Sequence, residues 1–219
     1  MATYLVIGGT RGIGKSISEK LRAEGHHVVI TSKQEYEAGG ELAALEGLSE
    51  LDGLVYCPGS IQLVPFTRIS QDMFIDEMRI NTYGALKAVQ QSIGLLKKAE
   101  SPSVVFISSV AAQTGMPYHA MVAMAKGALE SLTYSLAAEL APKIRVNCIA
   151  PSLVATDLSE RFLNTEEKQA ASAKRHPLGR YGSPHDIADS ALFLLGPNSG
   201  WITGQVLSVD GGIGRLRMV

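Results

Sequence analysis

The apolar segment around Lys126 could hold a cation beside a bound ligand. Val122 lies four residues before Lys126, so on a helix the two side chains would share one face. A phenol at that place would have its pKa lowered by the ammonium and could exchange a proton at neutral pH. Valine has no such proton. The segment therefore predicts a cationic site that lacks a proton donor at the favoured position.

A glycine-rich turn follows the first apolar run of the chain. Glycine at 8, 12 and 14 lets the backbone turn tightly and approach a ligand closely. The following helix would point its free N–H groups at an anion such as a pyrophosphate. Because the turn lies between a predicted strand and a predicted helix, it favours dinucleotide binding over a merely structural turn. The residues assigned to this site are Gly8, Thr10, Arg11, Gly12, Ile13 and Gly14.

The end of the second predicted strand indicates which dinucleotide is preferred. An acidic residue at this place holds the ribose hydroxyls of NAD. The chain instead reads Thr31-Ser32-Lys33, with no carboxylate before Glu35. Arg11, Ser32 and Lys33 could together receive a 2′-phosphate, so we predict NADP (NADPH) rather than NAD. The alternative is that Lys33 is only a solvated surface charge.

The elements that would position these residues alternate between strands and helices. Apolar runs predict strands at 4–7, 28–30, 54–57, 103–107, 144–149 and 205–209. Periodicity and capping signals predict helices at 13–23, from 71 towards 98 with a kink, at 118–140 and at 186–195. This alternation indicates an α/β fold: a single domain with a doubly wound parallel sheet, Rossmann-like. The polar residues 157–182 could form a flap over the site.

Composition excludes several classes of function. The chain has 219 residues, of which 46% are hydrophobic, and a formal net charge of −1. The balanced charge, with no long basic run, argues against nucleic-acid binding. No apolar stretch is long enough for a membrane span, and no secretory signal is evident after Met1. Cys57 and Cys148 lie in apolar runs that indicate buried thiols. We expect a soluble cytoplasmic protein, and we assign no residue to a metal site.

Motifs in the right order along the chain resemble the short-chain dehydrogenase/reductase family. They are Gly8-x3-Gly12-x-Gly14, Asn81 within Ile80-Asn81-Thr82-Tyr83-Gly84, Ser108-Ser109 after a strand, Lys126, and Asn147-x-Ile149-x-Pro151-x-x-Val154-x-Thr156. Later motifs are similar to the subgroup that includes 3-oxoacyl-acyl-carrier-protein reductases, namely Pro177-Leu178-Gly179-Arg180, Ile202-Thr203-Gly204-Gln205 and Val209-Asp210-Gly211-Gly212. Ser109 also lies thirteen residues before position 122, which fits the spacing of the family.

The resemblance implies a role for each polar residue of the site. In the family, a serine binds the substrate carbonyl oxygen and a tyrosine protonates it. A lysine lowers the pKa of that tyrosine and holds the nicotinamide ribose, and an asparagine orients a water that refills the proton. By position, Ser109 corresponds to the serine, Lys126 to the lysine and Asn81 to the asparagine, and the role of the tyrosine is left unfilled. Contacts with the cofactor are also implied for Gly59, Val154 and Thr156.

The chain departs from the family at the tyrosine. Val122 occupies that position, and Tyr118 lies eight residues before Lys126. Four residues of helix rise by about 6 Å, so Tyr118 could serve as a substitute donor only if the start of the helix were reshaped. Losing a positioned general acid typically costs about 10²–10⁴ in rate. Cofactor binding should survive, because it uses other residues.

Two further departures concern the cofactor cleft and the edge of the sheet. Tyr56-Cys57-Pro58-Gly59 lies where the family usually has Asn-Asn-Ala-Gly, so the wall on the adenosine side must be built differently. Only residues 32–53 separate the second and third apolar runs, which leaves room for one helix near 41–50. We therefore predict that the family's third strand, with its adenine-contacting aspartate, is missing. The second strand would become the exposed edge, with polar residues nearby to discourage self-association: Gln34, Glu35 and Glu37.

These features support two main functions. The first is an atypical NAD(P)H-dependent oxidoreductase that transfers hydride to a ketone or 3-oxoacyl-type carbonyl, with reduced or altered activity because the tyrosine is absent. The alternative is a catalytically inactive subunit that binds the dinucleotide or an active paralogue. Val122 favours the alternative, as do three methionines that would soften the mouth of the site, Met116, Met121 and Met124. Non-redox chemistry such as dehydration or isomerisation is a third possibility without specific support.

Substrate and assembly are indicated only in outline. The flap carries Arg161, Lys174, Arg175 and Arg180, which suits an anionic small-molecule or carrier-linked carbonyl substrate. The long apolar helix, the helix around Asn81 and the carboxy-terminal residues 216–219 offer more apolar surface than one small domain can cover. The resemblance implies pairing of these helices across two-fold axes. We predict a homodimer or homotetramer, and a hetero-oligomer with a sister chain stays open.

Overall fold

A computed structural model describes residues 1–32, 35–36 and 39–217. Its centre is one sheet of six parallel strands in the order β2-β1-β3-β4-β5-β6. The strands are β1 (Thr3–Ile7), β2 (His27–Thr31), β3 (Gly53–Tyr56), β4 (Ser103–Ile107), β5 (Arg145–Pro151) and β6 (Val206–Val209). Each predicted strand is present to within two residues at either end. The order reverses between β1 and β3, which makes the sheet doubly wound, as predicted.

Helices cover both faces of the sheet. They are α1 (Gly12–Ala23), α2 (Gln71–Met78), α3 (Gly84–Leu96), α4 (Ala120–Leu140), α5 (Glu166–Arg175) and α6 (Pro184–Leu195). A π-helical segment, Arg79–Tyr83, joins α2 to α3. The extra residue in its turn is the kink predicted for this long helix. None of the helices in the described part of the chain is long and apolar enough to cross a membrane.

The two faces of the sheet bury two separate apolar layers. Along β1, Leu5 packs among residues of the α3 and α4 side, and Val6 packs among residues of the α1 and α6 side. This follows from the two-residue period of a strand, which sends successive side chains to opposite faces. Every residue of β3, β4 and β5 is buried, as are four of the five residues of β1, and this burial on both faces is why the strands are mostly apolar in sequence.

The edge of the sheet is shortened as predicted, but its cover differs. Between β2 and β3 the described residues contain no strand, and β2 pairs only with β1. The helix predicted near 41–50 is wrong, because only a single 3₁₀ turn, Ala43–Leu45, forms there. Tyr36 and Leu42 are buried in the layer beneath and hold this segment against the sheet. Glu35 is exposed, whereas Gln34 and Glu37 lie outside the described residues.

Three local predictions near the site also need correction. Helix α4 begins at Ala120 rather than at Tyr118, because Tyr118 has a positive φ of 67° that no helix accommodates. Residues 157–182 are more regular than predicted, since they contain a 3₁₀ turn, Asp157–Phe162, and helix α5. Helix α6 begins two residues earlier than predicted, with a reciprocal capping box between Ser183 and Asp186.

Candidate active site

A cleft of about 620 Å³ lies at the carboxyl ends of the strands. This is the edge at which open α/β sheets bind ligands. Six of the residues predicted for the site line it: Ile13, Gly59, Ser109, Lys126, Val154 and Thr156. Val122, at the position of the missing tyrosine, lines it too, whereas the other predicted residues that the structure describes do not.

The glycine-rich turn at the end of β1 has the shape of an anion cradle. Gly8 has a positive φ of 76°, and its N–H donates to Thr31 O at 2.9 Å. A Cβ on Gly14 would lie 2.3 Å from Gly8 O, so only glycine lets α1 start this close to the turn. Gly12 also has a positive φ, of 55°. No side chain caps α1 and no acidic residue lies in its first turn, so its N–H groups remain free for an anion.

The residues predicted to bind a 2′-phosphate lie near the same turn. Arg11 is the N-cap residue of α1 and is exposed, as is Thr10. Ser32 Oγ accepts from the N–H of Glu35 at 3.0 Å, and the N–H of Ser32 donates to Glu35 Oε2 at 2.6 Å. Hydrogen bonds from Ser32 to the carboxylate, chiefly from its backbone N–H, lower the pKa of Glu35 and so keep an exposed carboxylate at the end of β2. Lys33 lies outside the described residues.

Lys126 is buried on α4 at the floor of the cleft. Its ammonium Nζ donates to Ile107 O at the end of β4, at 2.8 Å. Loss of solvation lowers the pKa of Lys126 to about 8. Three nearby groups oppose this shift: Cys148, Glu77 and Cys57. Lys126 therefore remains mainly an ammonium below pH 8, and little solvent competes with a ligand for its N–H donors.

Asn81 lies behind this floor, within the π-helical segment, and does not line the cleft. Its Nδ2 donates to Ser60 Oγ at 2.9 Å, to Glu77 O at 2.9 Å and to Glu77 Oε1 at 3.1 Å. Its Oδ1 is buried without a partner. A Cβ on Gly59 would lie 3.4 Å from both Asn81 Oδ1 and Lys126 Nζ, so both polar groups lie next to this glycine. The orphaned oxygen marks a place for a bound water or ligand hydroxyl.

Ser109 and Val122 form opposite parts of the wall near Lys126. Ser109 is half-buried at the N-terminus of a 3₁₀ turn, Val110–Ala112, and its Oγ accepts from the N–H of Ala111 at 3.2 Å. Val122 is 4% exposed and presents only methyl groups. Tyr118 is 60% exposed and does not line the cleft, so the structure does not place it as a substitute donor. The next residue, His119, does line the cleft.

Several polar residues of this region were missed by the sequence analysis. Glu130 is buried and accepts from Ser108 Oγ at 2.8 Å and from Gln113 Nε2 at 3.0 Å, which fixes the loop that carries Ser109. Glu77 is also buried, at 1% exposure, and its Oε2 has no partner. Each lies four residues from a predicted site residue, Glu130 after Lys126 and Glu77 before Asn81, and this helical spacing could have identified both.

The flap supplies positive charge to the cleft, but not through all the predicted residues. Arg161, Lys168 and Arg175 line it, whereas Lys174 and Arg180 do not. Arg180 instead pairs with Asp186 at 2.7 Å, which holds the pKa of that carboxyl well below its usual range. None of the described lining residues is Asp or Glu. The walls therefore favour an anionic ligand.

The burial of the cysteines and the positions of the methionines agree only in part with the predictions. Cys148 is buried, but Cys57 is half-buried and lines the cleft, where desolvation raises its pKa to about 12. Of the three methionines, Met116 alone lines the cleft. Met121 is in the core and Met124 is exposed, so the soft mouth predicted from the three is wrong.

Comparisons with known proteins agree with this geometry. Residues 42–214 match the sequence profile of the family described as enoyl-(acyl carrier protein) reductase. A tropinone reductase homologue of Arabidopsis thaliana is 35% identical, over 96% of this chain and 91% of its own length. The ligand-free aldohexose dehydrogenase of Thermoplasma acidophilum superimposes with a TM-score of 0.90 at 25% identity, covering 100% of this chain and 96% of that one. ElxO with bound NADP superimposes with a TM-score of 0.86 at 26% identity, covering 97% and 98%.

A parallel sheet with a glycine-rich first turn and a ligand cleft at its carboxyl edge defines a dinucleotide-binding oxidoreductase. The chain belongs to the short-chain dehydrogenase/reductase family. Its relatives are reductases and dehydrogenases, and the chain is accordingly an NAD(P)-dependent oxidoreductase.

Proposed function

We propose that this protein is an NADP-dependent reductase that converts a ketone or 3-oxoacyl-type carbonyl to an alcohol, at a rate limited by the missing tyrosine. The observation that carries the proposal is the convergence of Ser109 and Lys126 on one cleft beyond the glycine-rich turn. A fold that only bound a nucleotide would have no physical need for a hydroxyl and a desolvated ammonium at the floor of that cleft.

The residues present fit a dinucleotide. The uncapped N-terminus of α1 and the turn at Gly8, Gly12 and Gly14 suit the pyrophosphate. Lys126 Nζ would hold the nicotinamide ribose, and Gly59, Val154 and Thr156 would bound the nicotinamide half. When bound, the reduced nicotinamide supplies the hydride for the carbonyl carbon. Ser109 Oγ would donate a hydrogen bond to the carbonyl oxygen and orient it.

We favour NADP over NAD on the charge near the end of β2. Arg11 is exposed at the start of α1 and unpaired among the described residues, so it can meet a 2′-phosphate. Ser32 Oγ lies at the same turn. The NADP-bound neighbour ElxO supports this choice. Glu35 opposes it and is expected to reduce the preference rather than reverse it.

Loss of the tyrosine is compatible with cofactor binding. A tyrosine-to-phenylalanine variant of ElxO has NADPH bound, so that protein binds the coenzyme without this phenol hydroxyl. In the present chain, the groups assigned to the cofactor are all independent of position 122. Val122 therefore affects proton transfer and not occupancy of the cleft.

The proposal is tested by following NADPH oxidation with 3-oxoacyl thioesters, quinones and simple ketones. Val122→Tyr should raise kcat by about 10²-fold or more, because a phenol beside Lys126 restores a positioned acid. Val122→Phe is the matched control, since it adds the ring without the hydroxyl and should give no gain. Turnover by the unmodified chain should vanish in Lys126→Ala or Ser109→Ala.

The second candidate is an inactive subunit that binds the dinucleotide or an active paralogue. Val122, which closes the wall of the cleft with methyl groups, favours it. NADPH binding without turnover in the unmodified chain, and without gain in Val122→Tyr, would support this candidate over the first. Failure of calorimetry to detect binding of either pyridine coenzyme would overturn both.

We also propose that the protein assembles as a homodimer or homotetramer. Helix α4 is covered on its sheet side but leaves Met124 and Tyr134 about half exposed, at 48% and 52%. Apolar side chains exposed on one long helix suit a two-fold contact with a second copy.

A further inference from the structure

We propose that His119 is the proton donor of this site, in place of the absent tyrosine. The inference rests on the proposed carbonyl reduction and names the group that completes it. The imidazole would donate a proton from Nε2 to the oxygen of the substrate carbonyl.

His119 lies in the part of the cleft where a donor is needed. It is three residues before Val122, so it is about one helical turn from the position that lacks a phenol. It lines the same cleft as Ser109, Val122 and Lys126, and its side chain is half-buried. A half-buried imidazole can both face a ligand and take up a new proton from solvent.

The ring of His119 is fixed in one tautomer. Its Nδ1 lies 2.7 Å from Pro117 O. A carbonyl oxygen can only accept, so the proton of this hydrogen bond belongs to Nδ1. Nε2 is then the nitrogen left for the cleft, and it carries a proton only when the ring is an imidazolium. The same hydrogen bond supports the neutral ring after Nε2 has given its proton away.

An unusual backbone conformation precedes His119. Tyr118 has a φ of 67°, the only positive φ of a non-glycine residue in the described part of the chain. Aromatic residues rarely adopt this conformation, and such residues cluster at functional sites. Here the conformation leaves the ring of Tyr118 exposed and brings the following residue to the cleft wall. The strained residue thus positions His119 rather than serving as a donor itself.

The other titratable groups in the wall either hold their protons tightly or are already assigned to another partner. Cys57, at the end of β3, has its pKa raised to about 12 by burial. Lys126 on α4 is occupied by Ile107 O and is assigned to the cofactor ribose. The remaining groups that face the cleft are the flap cations Arg161, Lys168 and Arg175. No carboxylate belongs to the described wall, so His119 is the group left to act as an acid.

The step balances as a two-electron reduction. The carbonyl carbon gains a C–H bond from the reduced nicotinamide, which is oxidised, and the π electrons of the C=O bond move to oxygen. That oxygen forms an O–H bond as the Nε2–H bond of His119 breaks, and the bonding pair stays on Nε2. The products are an alcohol, the oxidised coenzyme and a neutral imidazole.

The first test compares His119→Gln and His119→Phe with the unmodified chain. Both should lower kcat for reduction by about 10²–10⁴ and leave the dissociation constant of NADPH, measured by fluorescence, unchanged. His27→Gln, at an exposed histidine that does not line the cleft, is the matched control and should behave like the unmodified chain.

A double-variant cycle separates proton donation from a structural role. In the Val122→Tyr background a phenol supplies the proton, so adding His119→Gln should cost less than threefold. A loss as large as in the valine background would overturn the inference, because it would show that the histidine supports the fold or the cleft. Unaltered turnover in His119→Gln would overturn it too, while leaving the proposed function intact.

A chemical measurement does not depend on turnover. Diethyl pyrocarbonate should acylate His119 at its free Nε2, located by mass spectrometry of the peptide. NADP⁺ together with an unreactive alcohol should protect it, and His185, which lies outside the cleft wall, should not be protected. Equal labelling of His119 with and without these ligands would contradict the inference. Absence of NADPH binding by the unmodified chain would remove the proposed function, and the inference with it.

Discussion

At the scale of single residues, Lys126 links function to a cost in stability. Its pKa is lowered to about 8 by burial, below the unfolded value of about 10.4. Below pH 8 the ammonium is present in both states, and burying it costs about 3 kcal/mol, since one pKa unit corresponds to about 1.36 kcal/mol. Above the unfolded pKa the cost is gone. Between these values the unfolded chain binds more protons, so the contribution of Lys126 to stability rises with pH.

This predicts a pH-dependent difference between the unmodified chain and Lys126→Met, which keeps the length of the side chain without its charge. The free energy of unfolding of the unmodified chain, relative to the variant, should rise by about 2–3 kcal/mol from pH 7 to pH 10.5. Urea unfolding at the two pH values measures it. Lys143→Met, at a partly exposed lysine that also donates to backbone oxygens, is the control and should show a smaller change. A constant difference for Lys126→Met would mean that its ammonium keeps its solvation.

Glu35 should weaken the preference for NADP. Its exposed carboxylate bonds the N–H of Ser32 where a 2′-phosphate would lie. Because like charges repel, Glu35→Gln should strengthen NADPH binding about three- to tenfold and change NADH binding much less. Titration of both coenzymes by fluorescence at low salt measures the ratio. Glu24→Gln, at an exposed carboxylate near the opposite end of α1, should leave it unchanged. Stronger binding of NADH to Glu35→Gln would assign the carboxylate to a ribose hydroxyl instead.

At the scale of elements, two buried tyrosines hold the kinked helix in place. Tyr56 Oη donates to Ile80 O at 2.7 Å, next to Asn81, and Tyr36 Oη donates to Gly84 O at 2.8 Å, at the start of α3. Their rings meet edge to face, with centroids 6.4 Å apart. Tyr56 lies where the family usually has asparagine, so the brace between sheet and helix is kept by a different side chain.

Removing either hydroxyl should destabilise the fold, but only one should affect the site. Tyr56→Phe and Tyr36→Phe should each lower the free energy of unfolding by about 1 kcal/mol, since a buried carbonyl loses its donor. Tyr56→Phe should also lower turnover, because Ile80 precedes Asn81 behind the floor of the cleft. Tyr36→Phe is the matched control. Equal activities for the two variants would show that Asn81 does not depend on this brace.

Much of the fold could be predicted because its strands are buried on both faces and read as apolar runs. The missing strand was predictable from the short stretch 32–53 compared with the pattern of the family, and a kink was expected within the helix from 71 towards 98. The start of α4 was not predictable, because the positive φ of Tyr118 is imposed by the surrounding structure and not by its residue type. The predicted helix near 41–50 is replaced by the single turn Ala43–Leu45, because burial of Leu42 in the core fixes the backbone of this segment. The intrinsic helix propensity of a segment does not reveal such tertiary constraints.

The candidate site was predictable where function follows a position in a motif. Ser109, Lys126 and Val122 meet in the cleft as their spacing indicated. His119 could not be chosen from sequence alone, since a single histidine is usually exposed. Glu77 and Glu130 could have been found from their helical spacing to Asn81 and Lys126, and the packing of α4 against β5 and α2 accounts for their burial.

We expect the flap to select substrates by their charge. Arg175 lines the cleft and its neighbour Lys174 does not. Arg175→Glu should therefore raise KM for a carbonyl substrate with a carboxylate about three- to tenfold at low salt, and leave KM for a neutral ketone nearly unchanged. Lys174→Glu changes the net charge equally and should have a smaller effect. If both variants raised KM equally, the change would be due to the net charge of the protein and not to contact with the substrate in the cleft.

At the scale of the whole molecule, exposed apolar side chains predict self-association. Met124 and Tyr134 lie on α4, and further large apolar residues are exposed near the end of the chain, Trp201 and Leu216. Burying such a surface against a second copy gains free energy without refolding either partner. Met218 and Val219, which belong to the predicted apolar tail, lie outside the described residues.

Sedimentation velocity at micromolar concentration should give at least twice the monomer mass of 23.3 kDa. Tyr134→Glu should shift the protein towards monomer, because a charge placed in an apolar contact is left without solvent or partner. Leu178→Glu is the matched control: it adds the same charge at an exposed residue, on the flap rather than on α4, and should leave the mass unchanged. A monomeric unmodified chain would contradict the prediction, and dissociation by Leu178→Glu alone would move the contact from α4 to the flap.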